Sequence, residues 1–243
     1  MDASDEADTE VDYVATGSTT VTVTGLGENC PENEPSFSTI GKYVDVHVSD
    51  PGALTSITIK VYYEDADIPA GLVENELRIY YWDNLALAWL PCSDTGVNMV
   101  EDYIWAYLNS TTTPTLEYLS GGPFTPGVPE IILAPDEGFV TTITGGGFTP
   151  TTVMTISWGT TKIDTIPSVV TTDNVGEFTA IFAAWTSTPG TYTISATDNT
   201  SWAYDNFTVP DMKGDEGDPG DTGATGDEGD PGDTGATGAT GAT

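Results

Sequence analysis

The sequence predicts an all-β protein with two tandem β-sandwich domains and a C-terminal tail of glycine triplets. Up to about residue 210, apolar and polar residues alternate in short runs that are bounded by Gly, Pro, Asn and Asp, with little helical periodicity. From residue 214 onward, glycine occupies every third position. We therefore divide the chain into an acidic N-terminal segment (1–12), a first domain (13–120), a linker (121–129), a second domain (130–210) and a tail (211–243).

The first domain is expected to form strands wherever the alternation is regular. Residues 43–49 place three valines on one face and His47 on the other. Residues 76–82 and 85–90 predict a hairpin with its turn at 83–84. Further strands are predicted at residues 19–26, 57–63, 103–108 and 115–119.

A second β domain is expected after residues 121–129. That stretch contains three prolines and three glycines, which suit neither a sheet interior nor a helix, so it is predicted to be a linker. The spacing of the strands that follow is typical of an immunoglobulin-like sandwich. The seven strands are predicted at residues 130–133, 139–144, 153–158, 161–166, 177–182, 191–197 and 203–209.

Three stretches of the second domain resemble the Ig-like repeat modules of bacterial and archaeal surface proteins. They read GFTPTTVMTISW at 147–158, TDNVGEF at 172–178 and PGTYTI at 189–194, and the similarity covers most of residues 130–209. The resemblance implies a G-F-x-P turn that leads into a core strand, and a corner closed by Tyr192.

Other parts of the chain show related resemblances. The first domain looks like a β module of secreted microbial proteins through YYEDADIP at 62–69 and LRIYYW at 77–82, and the tail is similar to prokaryotic collagen-like proteins. These families bring no catalytic residue. They imply an extracellular or cell-surface location.

The tail has the pattern of a collagen triple helix. Three polyproline-like chains can wind together only if the residue at their common axis has no side chain, and one residue in three faces that axis. The tail therefore predicts a homotrimer. Its triplets carry eight acids and no lysine, so we expect the trimer to depend on cations, salt, glycans or neighbouring trimeric contacts. The predicted axial residues are Gly214, Gly217, Gly220, Gly223, Gly226, Gly229, Gly232, Gly235, Gly238 and Gly241.

Charge and composition exclude several functions. The chain has 5 basic and 38 acidic residues and a formal net charge of -33, which opposes binding to nucleic acid or to an anionic membrane. With one histidine and two cysteines, the chain has few of the side chains from which a zinc site or a catalytic triad is built. No stretch reaches the roughly 20 apolar residues of a membrane helix. We expect neither enzymatic activity, a cofactor nor membrane insertion.

The candidate modification sites are two cysteines and three asparagines. Cys30 and Cys92 are predicted to form one disulfide, as is simplest for two cysteines in an extracellular chain; two free or buried thiols are the alternative. Asn109, Asn199 and Asn206 each begin an N-glycosylation acceptor pattern.

One loop carries enough carboxylates to suggest a calcium or other cation site. Glu64, Asp65 and Asp67 offer oxygen ligands close together, but the spacing lacks the glycine and the distant glutamate of an EF-hand. A solvated loop is the favoured interpretation. His47 and Asp45 lie two apart on one strand, about 7 Å from each other, which is too far for a direct hydrogen bond of a triad.

The function expected from these observations is assembly. The chain is predicted to be a subunit of a surface fibre that trimerises through its tail, or that polymerises by strand exchange when residues 12–24 complete a neighbour's sheet. The alternative is a trimeric adhesin whose sandwiches bind a glycan or a protein. A secreted polysaccharide-active enzyme is a third hypothesis.

Overall fold

The computed structural model of the chain describes residues 2–3 and 8–212 and, within the tail, residues 222–230, 232, 235 and 238. The described residues are all-β, and their only helices are short 3-10 turns. The described residues up to Asp211 belong to one compact unit, and those from Met212 onward belong to a second. No helix of the described residues is long and apolar enough to cross a membrane.

The first module, residues 2–128, contains two antiparallel sheets. A five-stranded sheet has the order β1-β2-β6-β10-β9, and a larger sheet has the order β3-β5-β11-β7-β8, with β4 also paired to β11. The strands are β1 (Asp2–Ala3), β2 (Thr9–Ala15), β3 (Val21–Gly27), β4 (Ser38–Thr39), β5 (Tyr43–Val48), β6 (Leu54–Tyr62), β7 (Arg78–Asp83), β8 (Ala88–Pro91), β9 (Thr95–Asn98), β10 (Tyr103–Asn109) and β11 (Pro123–Val128). The 3-10 turns are Pro51–Ala53, Asp65–Asp67, Glu74–Glu76 and Leu116–Ser120.

One hydrophobic core joins these two sheets. Ile59 on β6 and Ile104 on β10 pack in the same cluster as Val46 on β5 and Phe124 on β11, and all four are buried. Alternate residues of β10 are buried, as expected for a strand with one face on a core. The arrangement is consistent with a β-sandwich.

The prediction of a linker at residues 121–129 is wrong, because Pro123–Val128 is the buried strand β11. Both prolines occupy tolerated positions. Pro123 begins the strand, and Pro126 lies between the residues that pair with β5 and those that pair with β4, where the ladder on that side is interrupted. Gly127 is needed because a Cβ there would lie 2.7 Å from the Ser38 carbonyl oxygen.

Two further predictions for the first module need correction. Residues 115–119 form most of a 3-10 helix, Leu116–Ser120, rather than a strand; Leu116 and Leu119 are both buried because residues three apart share one side of such a helix. The predicted hairpin between β7 and β8 is confirmed. Its turn is longer than expected, since Asp83 pairs with Ala88.

The second module, residues 130–209, contains seven strands in two antiparallel sheets. One sheet has the order β12-β13-β16 and the other the order β15-β14-β17-β18. Both contribute to a second hydrophobic core, which includes Ile143 and Phe182 from the first sheet and Ile194 and Phe207 from the other. The strands are β12 (Glu130–Ala134), β13 (Val140–Gly146), β14 (Thr155–Trp158), β15 (Thr161–Lys162), β16 (Phe178–Ala183), β17 (Gly190–Thr197) and β18 (Trp202–Val209).

The seven strand positions predicted for this module are confirmed, with one shortened. The strand expected at 161–166 covers only Thr161–Lys162, and Ile166 instead makes an isolated bridge to Ile181. Tyr192 donates its hydroxyl hydrogen to the Thr188 carbonyl oxygen at 3.0 Å, which closes the expected corner.

The described residues of the tail have no regular secondary structure and are exposed. Gly223, Gly226, Gly229, Gly232, Gly235 and Gly238 are among them. The remaining predicted axial residues, Gly214, Gly217, Gly220 and Gly241, lie outside the described residues.

Candidate functional site

The N-terminal strand β2 completes the chain's own sheet. The sequence placed residues 1–12 outside the first domain, but β2 pairs with β6 from Thr9 onward. Val11 is fully buried in the core and Thr9 is buried beside it, because strand alternation turns both toward the same face. Residues 16–20 connect β2 to β3, which lies in the opposite sheet. A short segment that crosses between the sheets therefore joins β2 to the rest of the module.

An ionic cluster fixes β2 to β6. Lys60 Nζ lies 2.8 Å from Asp12 Oδ2 and 3.3 Å from Glu10 Oε2. Tyr62 donates its hydroxyl hydrogen to Glu10 Oε2 at 2.7 Å. Hydrogen bonds to Asp12 and Glu10 raise the pKa of Lys60 above its usual range, and the bond to Glu10 raises the pKa of Tyr62 to about 12. We call Glu10, Asp12, Lys60 and Tyr62 the N-terminal clasp.

One carboxylate of the predicted cation loop pairs with a lysine. Lys42 Nζ lies 2.7 Å from Asp8 Oδ2 and 3.1 Å from Asp67 Oδ2, and Asp67 also accepts the Glu64 N–H at 2.8 Å. Burial alone would raise the pKa of Asp67, but the hydrogen bonds from Glu64 and Lys42 lower it. Asp65 begins the same 3-10 turn. Within the described ranges, no three acidic, histidine or cysteine side chains are grouped closely enough to hold a metal ion.

The two modules meet at a glycine-rich loop. Tyr80 donates its hydroxyl hydrogen to the Gly147 carbonyl oxygen at 2.9 Å in a buried hydrogen bond, and its ring stacks on Phe37 with centroids 3.7 Å apart. A Cβ on Gly147 would lie 2.7 Å from the Phe37 Cβ, and a Cβ on Gly146 would overlap the Ser36 carbonyl oxygen. Only glycine allows the second module's backbone to come this close.

Polar contacts extend this junction around the glycine loop. Together with the buried Tyr80 contact, they couple the modules as parts of one folded unit. The three hydrogen bonds are Arg78 Nη2 to the Thr200 carbonyl oxygen (3.1 Å), the Trp202 N–H to Glu76 Oε2 (2.9 Å), and Ser38 Oγ to Glu130 Oε2 (3.1 Å).

This junction was not predicted from the sequence. A signal was present, since Gly145, Gly146 and Gly147 are consecutive at the end of a predicted strand, where glycine often marks a close backbone approach. Its partner surface could not be read locally. The sequence around Tyr80 predicts a strand, but nothing in it identifies the module that covers the Tyr80 side chain.

The cysteines are free thiols, so the predicted disulfide is absent from the structure. Cys92 is buried in the core between the two sheets of the first module, whereas Cys30 packs against an aromatic cluster that includes Trp82 and Trp89. The two side chains therefore belong to separate packing layers. Cys30 Sγ donates to the Asn33 carbonyl oxygen at 3.4 Å, and burial raises the pKa of Cys92 above its usual range.

The glycosylation candidates have different surroundings. Asn199 and Asn206 are exposed, Asn199 at the turn between β17 and β18 and Asn206 on β18. Asn109 is half-buried, and its Oδ1 accepts hydrogen bonds from the Thr111 and Thr112 N–H groups. His47 is exposed on β5. Glycosylation of the asparagines stays a prediction.

Within a single chain, nothing requires the described glycine positions of the tail to be glycine. A Cβ added to any of them would meet no atom within 4 Å, and none has a φ in the left-handed region. By contrast, Gly146 and Gly147 each have a steric reason to be glycine. The fold of one chain therefore gives no reason for glycine at these six described positions of the tail.

Comparison with models of protein families, with curated proteins and with solved structures gives no match for this chain.

Proposed function

We propose that this chain is an extracellular structural protein, a subunit of a surface fibre that trimerises through a collagen-like tail. The observation that carries the proposal is the strict glycine period where the single chain needs no glycine. Three chains wound around one axis supply the missing constraint, because a side chain at that axis would prevent their close approach.

The second module supports a structural role as an Ig-like sandwich. Its two sheets, β12-β13-β16 and β15-β14-β17-β18, resemble those of an immunoglobulin-like sandwich, with the short strand β15 on the edge of the second sheet. Trp158 on β14 packs in the core against Phe182 and Phe207, and Tyr192 closes the corner. Such modules serve as rigid spacers, and the buried junction with the first module favours transmission of force without a hinge.

Strand exchange is a second route to assembly in this proposal. β2 lies between β6 and the two-residue strand β1, and it contributes Val11 to the core. The same strand from a second copy would make the same pairs with β6 and the same N-terminal clasp. A copy that donates its strand and receives another gives a chain of linked subunits.

The test is sedimentation velocity of the full chain beside a chain that ends at Pro210, at near-physiological salt with calcium. The full chain is expected to sediment as a trimer or a larger polymer and the shortened chain as a smaller species. Equal polymers from both chains would assign assembly to the β modules alone, and two monomers would contradict the proposal.

A matched pair of substitutions tests the triple helix itself. Gly229→Ala places a methyl group at the proposed axis, while Thr225→Ala changes a position that faces outward. Because a single glycine replacement destabilises a collagen helix locally, Gly229→Ala should lower the melting temperature of the trimer, and Thr225→Ala should change it much less. Equal melting temperatures for the two variants would argue against a common axis.

A further inference from the structure

A groove of about 340 Å³ runs along the junction of the two modules, near the low end of the range for small-molecule sites. One wall carries Trp202 and Tyr204, which are neighbours on the same face of β18. The facing wall comes from the first module and includes Leu72 and Val73. Unlike the tail, every residue of this groove belongs to the folded β unit.

The two aromatic rings are exposed and held parallel. Their centroids lie 6.2 Å apart with an interplanar angle of 9°. Trp202 is 41% exposed and Tyr204 47%, and neither ring belongs to the hydrophobic core of the second module. The hydrogen bond from the Trp202 N–H to Glu76 fixes the backbone beneath the pair. Trp202 and Tyr204 thus form a solvent-exposed aromatic platform, and the hydrogen bond to Glu76 fixes the backbone that carries it.

The groove is also acidic. Glu76, Glu130 and Asp205 line it, and none of its lining residues, all of which lie in the described part of the chain, is basic. The ion pairs found in residues 8–212 use Lys42 and Lys60, on other surfaces. Burial and the charge of Glu76 raise the pKa of Tyr204, which is consistent with a negative field at the ring.

The hydrogen-bonding state of these carboxylates narrows the kind of ligand. Glu76 accepts the Trp202 N–H, and Asp205 accepts the Leu133 N–H at Oδ2 and the Asn206 N–H at Oδ1. Glu130 accepts from the Ser38 hydroxyl. These donors are neutral, so they hold the carboxylates in position without cancelling their charge. A quaternary ammonium ion has no N–H, so it needs no hydrogen bond from the groove and is attracted by the negative charge and the aromatic faces alone.

We propose that this groove binds a small organic cation of the quaternary-ammonium class. Its methyl groups pack on Trp202 and Tyr204, and its charge faces Glu76 and Glu130, whereas strand alternation turns Asp205 to the other face of β18. Charge complementarity and the cation–π attraction of two rings act together at this site. The proposal does not depend on the tail or on trimer formation.

The test is calorimetric titration of the full chain with choline chloride, with ionic strength held constant by sodium chloride. Saturable binding of one choline per chain is expected. The neutral isostere 3,3-dimethylbutan-1-ol should bind at least fivefold more weakly, because it keeps the shape and lacks the charge. Absence of saturation, or equal affinity for the isostere, would overturn the proposal.

Variants locate the site. Trp202→Ala and, as a second removal of a ring, Tyr204→Leu should each weaken choline binding about two- to fivefold, in line with an exposed cation–π contact. Glu76→Gln keeps an oxygen for the Trp202 N–H and removes the charge, so it should weaken binding several-fold while the circular dichroism stays unchanged.

The matched controls are Trp185→Ala and Asp164→Asn. Trp185 is 62% exposed, and both residues are absent from the groove lining. Both controls should bind choline with the affinity of the unchanged protein. An equal loss of choline affinity in Trp185→Ala and Trp202→Ala would contradict the assignment of the site. An unchanged choline affinity in all three groove variants would contradict it as well.

Discussion

Asp198 holds the turn between β17 and β18 with a single buried carboxylate. Its Oδ1 accepts from the N–H and hydroxyl groups of both Thr200 and Ser201, and its Oδ2 accepts the Thr149 N–H at 2.8 Å. Burial alone would raise the pKa of Asp198, but these hydrogen bonds hold it well below the usual range. The ionised form is therefore part of the fold.

We predict that Asp198→Asn destabilises the protein by about 2–3 kcal/mol, because an amide cannot accept at both of its atoms. A depressed native pKa stabilises the fold above the unfolded pKa of about 4 and loses that contribution as pH falls further. The urea midpoint of the unchanged protein should thus fall more steeply between about pH 4 and pH 2 than that of the variant. The exposed Asp164→Asn serves as control; parallel pH profiles for all three proteins would refute the role of Asp198.

The cysteines give a second prediction at the residue scale. Cys30 is half-buried, whereas Cys92 is buried and its pKa is raised by burial. The native protein, purified without oxidant, should therefore react with one equivalent of a thiol reagent at Cys30, and with a second equivalent only after unfolding. Mass spectrometry of the labelled peptides identifies the residue. A Cys30–Cys92 crosslink in the non-reduced digest would restore the disulfide that the sequence predicted.

At the scale of elements, strand β2 is the piece most suited to exchange. It buries Val11, and the N-terminal clasp joins it to β6 through two carboxylates and one lysine. Partly exposed ion pairs contribute modestly to stability, so Val11 is expected to dominate the docking energy.

We predict that a chain beginning at Thr16 is less stable than the full chain and recovers stability when it is refolded with a peptide of residues 8–16. The peptide carrying Val11→Thr should restore it at least tenfold more weakly, because a buried hydroxyl replaces a methyl group. The peptide carrying Val14→Thr makes the same chemical change at an exposed position and should act like the unchanged peptide. Thermal shift as a function of peptide concentration measures this; indistinguishable peptides would show that β2 does not dock through Val11.

Strand β11 illustrates how an element can be hidden from local patterns. Its prolines and glycines indicate a linker, yet all six of its residues are buried between β7 on one side and β4 and β5 on the other. Proline is tolerated because it occupies the first position and a break in the ladder. Both facts depend on strands far away in sequence.

At the scale of the whole molecule, the junction couples two modules that have separate cores. The close approach of Gly146 to Ser36 is the tightest steric requirement of that junction, and the buried hydrogen bond from Tyr80 to Gly147 lies next to it. The modules are therefore expected to unfold together rather than one after the other.

We predict that Gly146→Ala separates their unfolding. The added methyl group overlaps the Ser36 carbonyl oxygen, so the loop must withdraw and the buried contact of Tyr80 is lost. Calorimetry should show one transition for the unchanged protein and two for the variant. Gly17→Ala, whose Cβ would lie 3.4 Å from the Ala53 Cβ, is the matched control and should keep one transition. A single transition in Gly146→Ala as well would show that the junction does not couple the modules.

Local sequence patterns were sufficient to predict many of the strands of this protein and the repeat of its tail. Alternation placed strands such as β10 and β16, because one buried face imposes a two-residue period on each of them. The glycine period of the tail is equally readable, since it repeats within a few residues. In each case the physical constraint acts along the chain.

The remaining features depend on which surfaces meet in three dimensions. β2 joins its own sheet, Cys30 and Cys92 lie in different packing layers, and Gly146 fits under Ser36, although these residues are distant from their partners in sequence. The aromatic platform of Trp202 and Tyr204 likewise becomes a groove only because the first module supplies its opposite wall. Burial and close approach are properties of pairs of surfaces, so they arise only after the chain has folded.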